Sequence, residues 1–350
     1  METVFTKEEI SEICARYGIQ VQTIGEEIDS SHGESDRRLA YQINDSYMLK
    51  AANASAMNED AIQLMADLVE RYRSIGVYCP APVRDLRGAY ANQVFHDGGQ
   101  FTAYIEEFAK LAFADSVTGT SADGDWVREI EWKKEMMAFT GKLAARYVNV
   151  GLTKRKSMWS IIDLGPWDVE VDEKQENMDL LTQCLCDHGR NELADKLACA
   201  NEEARNRIQE WFQELPRCVF QGDLNLSNLL IDENGHAAGL IDFNMAGTEV
   251  TINCLLNEAM VLLKESDYET DSPQELLERI CAFQEELMEC ARKYYSLNEV
   301  ELRCYDAYRK VILMSMYPNV MCWKHMLDEG RQTEKVVELL NLIAEMEIGK

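Results

Sequence analysis

The sequence lacks the segments that would hold a protein in a membrane or export it. None of its uninterrupted apolar runs reaches the length of about 18 residues that a membrane-spanning helix needs. Its first residues, Met1–Glu9, are too acidic and too polar for a secretory signal. Internal repeats and low-complexity stretches are absent as well. These absences predict a cytoplasmic protein without a membrane partner.

Regularly spaced cysteines are also lacking. The 11 cysteines occur at irregular intervals, which suits a reducing cytosol better than a disulfide-linked scaffold. The run Cys184–His188 contains two thiols and an imidazole, but no second cluster at zinc-site spacing accompanies it. The sequence therefore predicts no soft-metal site.

Basic residues are scarce. The chain has 35 Lys and Arg residues against 62 Asp and Glu residues, which gives a formal net charge of −27. Binding to a phosphate backbone relies on clustered Lys and Arg, so no nucleic-acid partner is expected. An acidic surface attracts cationic substrates such as amines, but it also keeps a cytoplasmic protein soluble. Composition alone leaves both interpretations open.

Apolar residues are plentiful enough for a sizeable core. They make up 46% of the 350 residues, and a length prior of about 150 residues per domain predicts two domains or one bilobal unit. The first third of the chain is rich in strand patterns and the remainder is mainly helical. In the first third we expect helices at Thr6–Tyr17 and Asn58–Ile75, with strands at Ile19–Ile28, Arg37–Asn44, Tyr47–Ala52 and Phe101–Ile105. In the remainder we expect a helix at Trp126–Asn149, two helices within Lys174–Glu214 and four after Gly247.

Two neighbouring runs, Cys218–Asp232 and Gly239–Gly247, contain the most informative pattern. Asn228 follows Asp223 by five residues, and Asp242 follows Asn228 by fourteen, each flanked by apolar residues. Phosphoryl transfer from a nucleotide needs such a set: one carboxylate for the acceptor hydroxyl, and an amide oxygen and a second carboxylate for Mg²⁺. An ordinary β-hairpin would explain Asp232–His236 as its turn. It would not explain three metal-competent groups at these intervals.

The spacing of Asp223 and Asn228 fits the catalytic loop of protein kinases, and Asp242-Phe-Asn244 stands where those enzymes have Asp-Phe-Gly. The sequence motifs of the whole segment resemble those of the aminoglycoside phosphotransferase and choline kinase-like family. They are Gly222-Asp223, Asn228-Leu-Leu230 and Ile241-Asp-Phe243. The close match covers Cys218–Gly247, and a weaker one extends over most of the chain. This resemblance implies an α+β, bilobal protein-kinase-like fold. It implies a small antiparallel-sheet N-terminal lobe at residues 1–106 and a large helical lobe at residues 107–350.

The resemblance also implies an activity. The chain would be an ATP-dependent kinase, with GTP as an alternative donor, acting on a hydroxyl of a small molecule such as an aminoglycoside, amino alcohol or sugar. Asp223 would be the catalytic residue that orients the hydroxyl and accepts its proton late, and Asn228 and Asp242 would bind Mg²⁺. Asn225 is interpreted instead as a residue that satisfies loop backbone groups. The oligomeric state cannot be predicted.

In the N-terminal lobe, Lys50 resembles the strand lysine that contacts the nucleotide phosphates. Its acidic partner is expected on the following helix, where Asp67 is preferred over Glu59 and Glu70. The turn around Gly33 occupies the position of the nucleotide-covering loop, although a plain hairpin loop fits it equally well.

Glu106-Glu-Phe108 resembles the hinge between the lobes. There, Glu106 and Phe108 would hold the adenine through backbone groups.

The chain departs from the family pattern in three places. Gln221 replaces a frequent His, Asn244 replaces a frequent Gly, and Gly247–Asn253 stands in place of a Gly-Asp-Pro run. The last departure weakens any transfer of substrate identity. The alternative function is a catalytically silent nucleotide-binding pseudokinase that acts through a partner. A protein kinase is disfavoured because no Gly-x-Gly-x-x-Gly loop and no Ala-Pro-Glu run are present.

Acidic residues after Asp242 and three tryptophans are candidate contacts for the acceptor. The acids Glu249, Glu258 and Glu265 could meet a cationic acceptor, but solvated helix faces are the preferred interpretation. Helix packing is likewise preferred for the tryptophans Trp159, Trp167 and Trp323.

Overall fold

The computed structural model describes residues 5–31, 33–53, 55, 57–96, 98–114 and 126–349. Contacts divide the chain into two compact units. The first consists of Met1–Asp125 and Asp223–Ala246, and the second of Trp126–Gly222 and Gly247–Lys350. The segment that contains Asp223 and Asp242 thus belongs to the same unit as the N-terminal sheet. The lobe boundary expected at residue 106 stays a prediction.

A six-stranded antiparallel sheet forms most of the first unit. Strands β1 to β3 are followed along the sheet by β6, and β4 and β5 both pair with β6. The bounds are β1 (Ile24–Asp29), β2 (Arg38–Ile43), β3 (Tyr47–Ala52), β4 (Pro82–Val83), β5 (Ala91–His96) and β6 (Gly99–Glu107). Alternation sends Leu49 and Ile105 into the core, while Lys50 and Glu106 lie on the opposite face.

Two capped helices accompany this sheet. Helix α1 (Lys7–Arg16) begins with the expected capping box of Thr6 and Glu9. Helix α2 (Glu59–Ser74) begins at the N-cap Asn58 and buries residues at helical spacing, including Leu68, Val69 and Tyr72. Both predicted helices are confirmed to within two residues at each end.

A smaller three-stranded sheet completes the first unit. It contains β7 (Ala112–Phe113), β9 (Leu229–Ile231) and β10 (Ala237–Leu240), paired in the order β10-β9-β7. The expected turn Asp232–His236 joins β9 to β10, and Asp232 Oδ1 accepts hydrogen bonds from the backbone N–H groups of Asn234 and His236. This hairpin brings the chain back from Asn228 to Asp242.

Helices dominate the second unit. Its two remaining strands, β8 (Arg217–Phe220) and β11 (Gly247–Val250), pair with each other. Its helices are α3 (Trp126–Tyr147), α4 (Glu173–Asp187), α5 (Asn191–Trp211), α6 (Thr251–Glu258), α7 (Asp267–Thr270), α8 (Pro273–Arg292), α9 (Glu299–Ser315), α10 (Tyr317–Asp328) and α11 (Thr333–Glu345). Within the described residues no helix is long and apolar enough to cross a membrane.

The structure confirms an α+β fold and corrects three details. Strand β5 was not expected, and β1 begins at Ile24 rather than at Ile19. Six helices, not four, follow Gly247 over residues 247–349, all of which the structure describes.

Candidate active site

Lys50 and Glu106 form an ion pair on one face of the six-stranded sheet. Lys50 Nζ lies 2.8 Å from Glu106 Oε1, and their side chains are only 22% and 17% exposed. The strand register explains the contact, because Lys50 on β3 is opposite Tyr104 on β6 and Glu106 is two residues further on the same face. Burial on its own lowers the pKa of Lys50, but the negative charges of Glu106 and Asp242 raise it above its ordinary value. Lys50 is therefore a cation over the whole physiological pH range.

This pairing corrects the expectation for Asp67. Asp67 lies on the exposed face of α2, where its Oδ1 accepts a hydrogen bond from Gln63 Nε2 at 2.7 Å. The other two candidates are also engaged elsewhere: Glu59 accepts from the backbone of Tyr90 and Ala91, and Glu70 lies 3.3 Å from an Arg73 nitrogen. The helix simply presents its apolar stripe, rather than these acids, to the rest of the unit. Glu106, expected only as a hinge residue, is the acid that contacts Lys50.

Asp223 and Asn228 are in direct contact. Asn228 Nδ2 donates to Asp223 Oδ2 at 2.9 Å and to the Asp223 backbone oxygen at 3.0 Å. A 3-10 turn at Leu226–Asn228 sets this spacing, and Asn225 is its N-cap through a bond from the Asn228 backbone N–H. The interpretation of Asn225 as a residue that satisfies loop backbone groups is confirmed. Because both amide hydrogens of Asn228 point towards Asp223, its Oδ1 atom faces the other way as an acceptor.

Asp242 follows directly after the hairpin that begins at Asn228. The Ile241 backbone N–H donates to the Asn228 oxygen at 3.0 Å, which ties the two segments together. Asp242 itself has a left-handed backbone, with φ of 55°. Such a conformation is uncommon for a non-glycine residue, although Asp adopts it more readily than most, and it recurs at functional sites. Next to it, Phe243 is buried and packs edge-on against Tyr72 with ring centroids 5.8 Å apart.

A cavity of about 310 Å³ lies within the first unit. Lys50, Glu106 and Asp242 line it, together with apolar side chains suited to a planar base. Its lining also includes Phe108, whose backbone N–H is already bonded to the Ser46 oxygen at 2.9 Å.

The turn between β1 and β2 lies at the edge of this cavity. Gly33 is exposed and has a positive φ of 122°, so the turn does need its one glycine. Arg38, at the start of β2, lines the cavity and forms a bidentate pair with Asp36, with bonds of 2.8 and 2.7 Å. Arg38 could not be singled out from its sequence context, because its position at the cavity depends on which strand face it occupies.

The donor set of Asn228 and Asp242 fits a hard divalent cation. Mg²⁺ prefers oxygen ligands, usually one or two from the protein, with the rest from phosphates and water. The side-chain amide oxygen of Asn228, Oδ1, and the Asp242 carboxylate are such ligands. The segments Leu226–Asn228 and Ile241–Asn244 contain no thiol or imidazole that could compete with them. These residues therefore fit Mg²⁺ better than a soft metal.

Glu249 in the second unit has a structural role that the sequence did not indicate. Glu249 is buried, and its Oε2 atom accepts hydrogen bonds from Ser157 Oγ at 2.6 Å and Ser160 Oγ at 2.8 Å. The interpretation as solvated helix faces is wrong for Glu249 and Glu258, which are 3% and 9% exposed. Burial raises the pKa of Glu249, although its hydrogen bonds act in the opposite direction.

Of the three tryptophans expected to pack between helices, Trp323 gives the clearest result. Trp323 is fully buried, and its Nε1 donates to the Tyr268 hydroxyl at 2.6 Å, so helix packing is confirmed for it.

Comparison with known proteins identifies related sequences and folds. A family model described as the phosphotransferase enzyme family matches residues 30–294, which is more than half of the chain. The comparison with curated proteins gives no match.

Solved structures share the fold along almost the whole chain. An amicoumacin kinase in complex with AMP-PNP, Ca²⁺ and Ami is 14% identical, with a TM-score of 0.54, and the match covers 97% of this chain and 94% of that one. An aminoglycoside phosphotransferase from Alicyclobacillus acidocaldarius is 13% identical, with a TM-score of 0.53 and coverages of 98% and 96%. A microcompartment-associated aminopropanol kinase is 12% identical, with a TM-score of 0.50 and coverages of 96% and 94%. At these identities the similarity shows the fold alone, and it confirms the protein-kinase-like fold class.

Proposed function

We propose that this chain, which belongs to the phosphotransferase enzyme family, transfers the γ-phosphoryl group of ATP to a hydroxyl of a small molecule. The observation that carries this proposal is the contact of Asn228 Nδ2 with Asp223 Oδ2 at 2.9 Å. Together with the bond from Asn225 Nδ2 to Asp223 Oδ1 at 2.9 Å, it fixes the orientation of the carboxylate to which an acceptor hydroxyl would donate. It also directs the Asn228 side-chain oxygen away from Asp223, where that oxygen would bind a cation. The same compact unit contains Lys50 and Asp242, which supply the charges that a triphosphate requires.

Each residue has a distinct part in the proposed reaction. Asp223 accepts a hydrogen bond from the acceptor hydroxyl and aims its oxygen at the γ-phosphorus. As the new oxygen–phosphorus bond forms, the bond from the γ-phosphorus to the β–γ bridging oxygen breaks, and ADP leaves. The hydroxyl proton passes late to Asp223, because a loose transition state needs little deprotonation of an alcohol.

Lys50, held by Glu106, would contact phosphate oxygens of the nucleotide. Asn228 and Asp242 would hold Mg²⁺, which when bound neutralises charge on the phosphates. The base would occupy the cavity beside Tyr104 and the segment Glu106–Phe108. GTP is the alternative donor.

The acceptor is proposed to be a small cationic hydroxyl compound such as an aminoglycoside, an amino alcohol or an amino sugar. The net charge of −27 favours a cation. Three proteins of similar fold are named for amicoumacin, an aminoglycoside and aminopropanol. A panel of such compounds, assayed for stimulated ADP release with ATP and Mg²⁺, would identify the acceptor class.

Two variants test the assignment of roles. Asp223→Asn should keep Mg-ATP binding while reducing turnover by on the order of 10²–10⁴-fold, the usual contribution of a positioned base. Asp242→Ala should instead weaken Mg-dependent nucleotide binding. Glu233→Gln, a change of an exposed acid in the nearby turn, is the matched control and should leave both properties unchanged. Equal turnover by Asp223→Asn, or unchanged Mg-ATP affinity of Asp242→Ala, would reject the corresponding role.

The second candidate function is a catalytically silent nucleotide-binding protein. Gln221, where relatives often have His, and the turn with the single glycine Gly33 are the features that favour it. In that case a thermal-shift measurement would show stabilisation by ATP or GTP, since a ligand that binds only the folded state raises its stability. No acceptor in the panel would then stimulate ADP release.

A further inference from the structure

Three potential metal ligands meet in the second unit, where the ends of α4 and α10 are adjacent. Cys184 lies in the last turn of α4, His188 is the C-cap of that helix, and Asp328 is the last residue of α10. One ligand atom from each residue lies within 4.8 Å of the other two. In the sequence only two of these three ligands are neighbours, because Asp328 is 140 residues away from His188.

The hydrogen bonds of His188 leave one ring nitrogen available to a metal. His188 Nδ1 lies 2.8 Å from the Cys184 backbone oxygen, so Nδ1 carries the hydrogen and donates it. The Nε2 atom then has a lone pair, and it lies 3.7 Å from Asp328 Oδ1. That distance is too long for a hydrogen bond. It is close to the separation of roughly 3.4 Å between two oxygen or nitrogen ligands of a tetrahedral zinc ion with bonds of about 2.0–2.1 Å.

The surrounding contacts already orient the ligands. Metal-bound histidines usually donate their second ring N–H to a carbonyl or carboxylate, as Nδ1 of His188 does here. Lys324 Nζ holds the other carboxylate oxygen of Asp328, Oδ2, at 2.6 Å. Oδ1 is thereby turned towards His188. Cys184 is buried, while the side chains of His188 and Asp328 are 31% and 43% exposed, which gives an ion a path from solvent.

A catalytic Cys-His-Asp triad would use the same residue types, but the geometry opposes it. The His188 nitrogen nearest to the sulfur, at 3.8 Å, is the Nδ1 atom that donates to the Cys184 carbonyl, so it cannot accept the thiol proton. Burial raises the pKa of the Cys184 thiol, which removes the reactive thiolate. A metal ion is the ligand that this arrangement suits.

We propose that Cys184, His188 and Asp328 form a Zn²⁺ site that links the C-terminal ends of α4 and α10. The sulfur, Nε2 and Oδ1 are three protein ligands, and water occupies the fourth tetrahedral position. On binding, the Cys184 thiol loses its proton to solvent, while His188 binds as the neutral ring and Asp328 as the carboxylate. Its ligands include a thiolate and an imidazole, whereas Asn228 and Asp242 offer only hard oxygen ligands.

Cobalt(II) titration of the full-length chain tests the site, because Co²⁺ replaces Zn²⁺ and a Co–thiolate bond has a charge-transfer absorption that oxygen ligands do not give. We expect one equivalent of Co²⁺ to produce this absorption and Zn²⁺ to abolish it by displacement. Cys184→Ser should eliminate the absorption, and His188→Gln should weaken Co²⁺ binding by more than about tenfold. Zn²⁺ should also raise the thermal unfolding midpoint of the wild type but not of either variant.

The matched control is Cys186→Ser, which removes an exposed thiol two residues from Cys184. It should keep the full cobalt absorption and the zinc-dependent stabilisation. A wild-type chain without the absorption, or an absorption that survives in Cys184→Ser and disappears in Cys186→Ser, would overturn the proposal.

Asp328→Asn, at the exposed end of α10, gives a second test that does not alter the buried thiol. Unchanged Co²⁺ affinity of this variant would exclude Asp328 as a ligand.

Discussion

Lys50 Nζ on β3 lies 2.8 Å from Glu106 Oε1 on β6, because these two strands are adjacent in the sheet although β4 and β5 lie between them in sequence. The negative charge of Glu106 therefore holds the ammonium group at the cavity wall. In Glu106→Gln the charge of this partner is lost and Lys50 is free to turn towards Asp242. We expect ATP affinity to fall by on the order of tenfold, or ~1.4 kcal/mol, measured by isothermal titration with Mg²⁺ present.

Asp67→Asn is the matched control for this substitution. Asp67 is exposed on α2 and contacts Gln63, so its replacement should leave ATP affinity unchanged. The reverse result, a loss of affinity in Asp67→Asn and none in Glu106→Gln, would mean that α2 supplies the partner of Lys50 when nucleotide is bound.

We expect Arg38 to offer a second cation to the nucleotide phosphates. Its guanidinium forms a bidentate pair with Asp36 at the cavity edge, and the same planar fork matches phosphate oxygens. We expect Arg38→Met to weaken ATP binding by about tenfold while leaving adenosine binding nearly unchanged. The neighbouring Arg37 does not line the cavity, and Arg37→Met should affect neither ligand. An equal loss for ATP and adenosine would indicate damage to the strand rather than a lost phosphate contact.

The contact of Asp223 with Asn228 and the return of the chain to Asp242 could be expected from the sequence because these residues are close along the chain. A short hairpin joins Asn228 to Asp242, and a single 3-10 turn joins Asn228 to Asp223. The residue types of such short turns indicate their conformation. The partner of Lys50 was not predictable in this way, since it depends on the register between β3 and β6.

Strand β5 escaped prediction for a related reason. Its buried positions are Asn92, Val94 and His96, so two of the three residues that face inwards are polar. Asn92 is satisfied by Arg87, which donates to its oxygen at 2.8 Å, and by Asp85. A strand whose inward face depends on hydrogen bonds lacks the apolar alternation from which strands are recognised.

Gly141 marks the closest approach of two helices in the second unit. A Cβ atom at this position of α3 would lie 2.4 Å from the backbone oxygen of Ala291 on α8. Alanine favours a helix over glycine by about 1 kcal/mol, but backbone cannot move aside as a flexible side chain can. We expect Gly141→Ala to lower the free energy of unfolding in urea by about 1–3 kcal/mol. Gly99→Ala, where the nearest atoms are at 3.4 and 3.5 Å, should change it little, and a stabilised Gly141→Ala would show that the helices separate easily.

Lys133 on α3 should give the stability of the protein a distinctive pH dependence. Its ammonium donates to the backbone oxygen of Met260, and burial lowers the pKa of Lys133 to about 8, although Glu258 acts to raise it. In the unfolded chain a lysine has a pKa of about 10.4, so between pH 8 and that value the unfolded state binds more protons than the folded state. The free energy of unfolding should therefore rise with pH in this window, by up to about 1.4 kcal/mol per pH unit, and the full penalty of the buried charge applies below pH 8.

Urea unfolding of Lys133→Met across the window should lack this rise. Lys134→Met is the control and should keep it, because its ammonium is held at 3.0 Å by Glu131 and at 2.8 Å by Glu286. Parallel curves for the wild type and Lys133→Met would mean that Lys133 stays charged in the folded state.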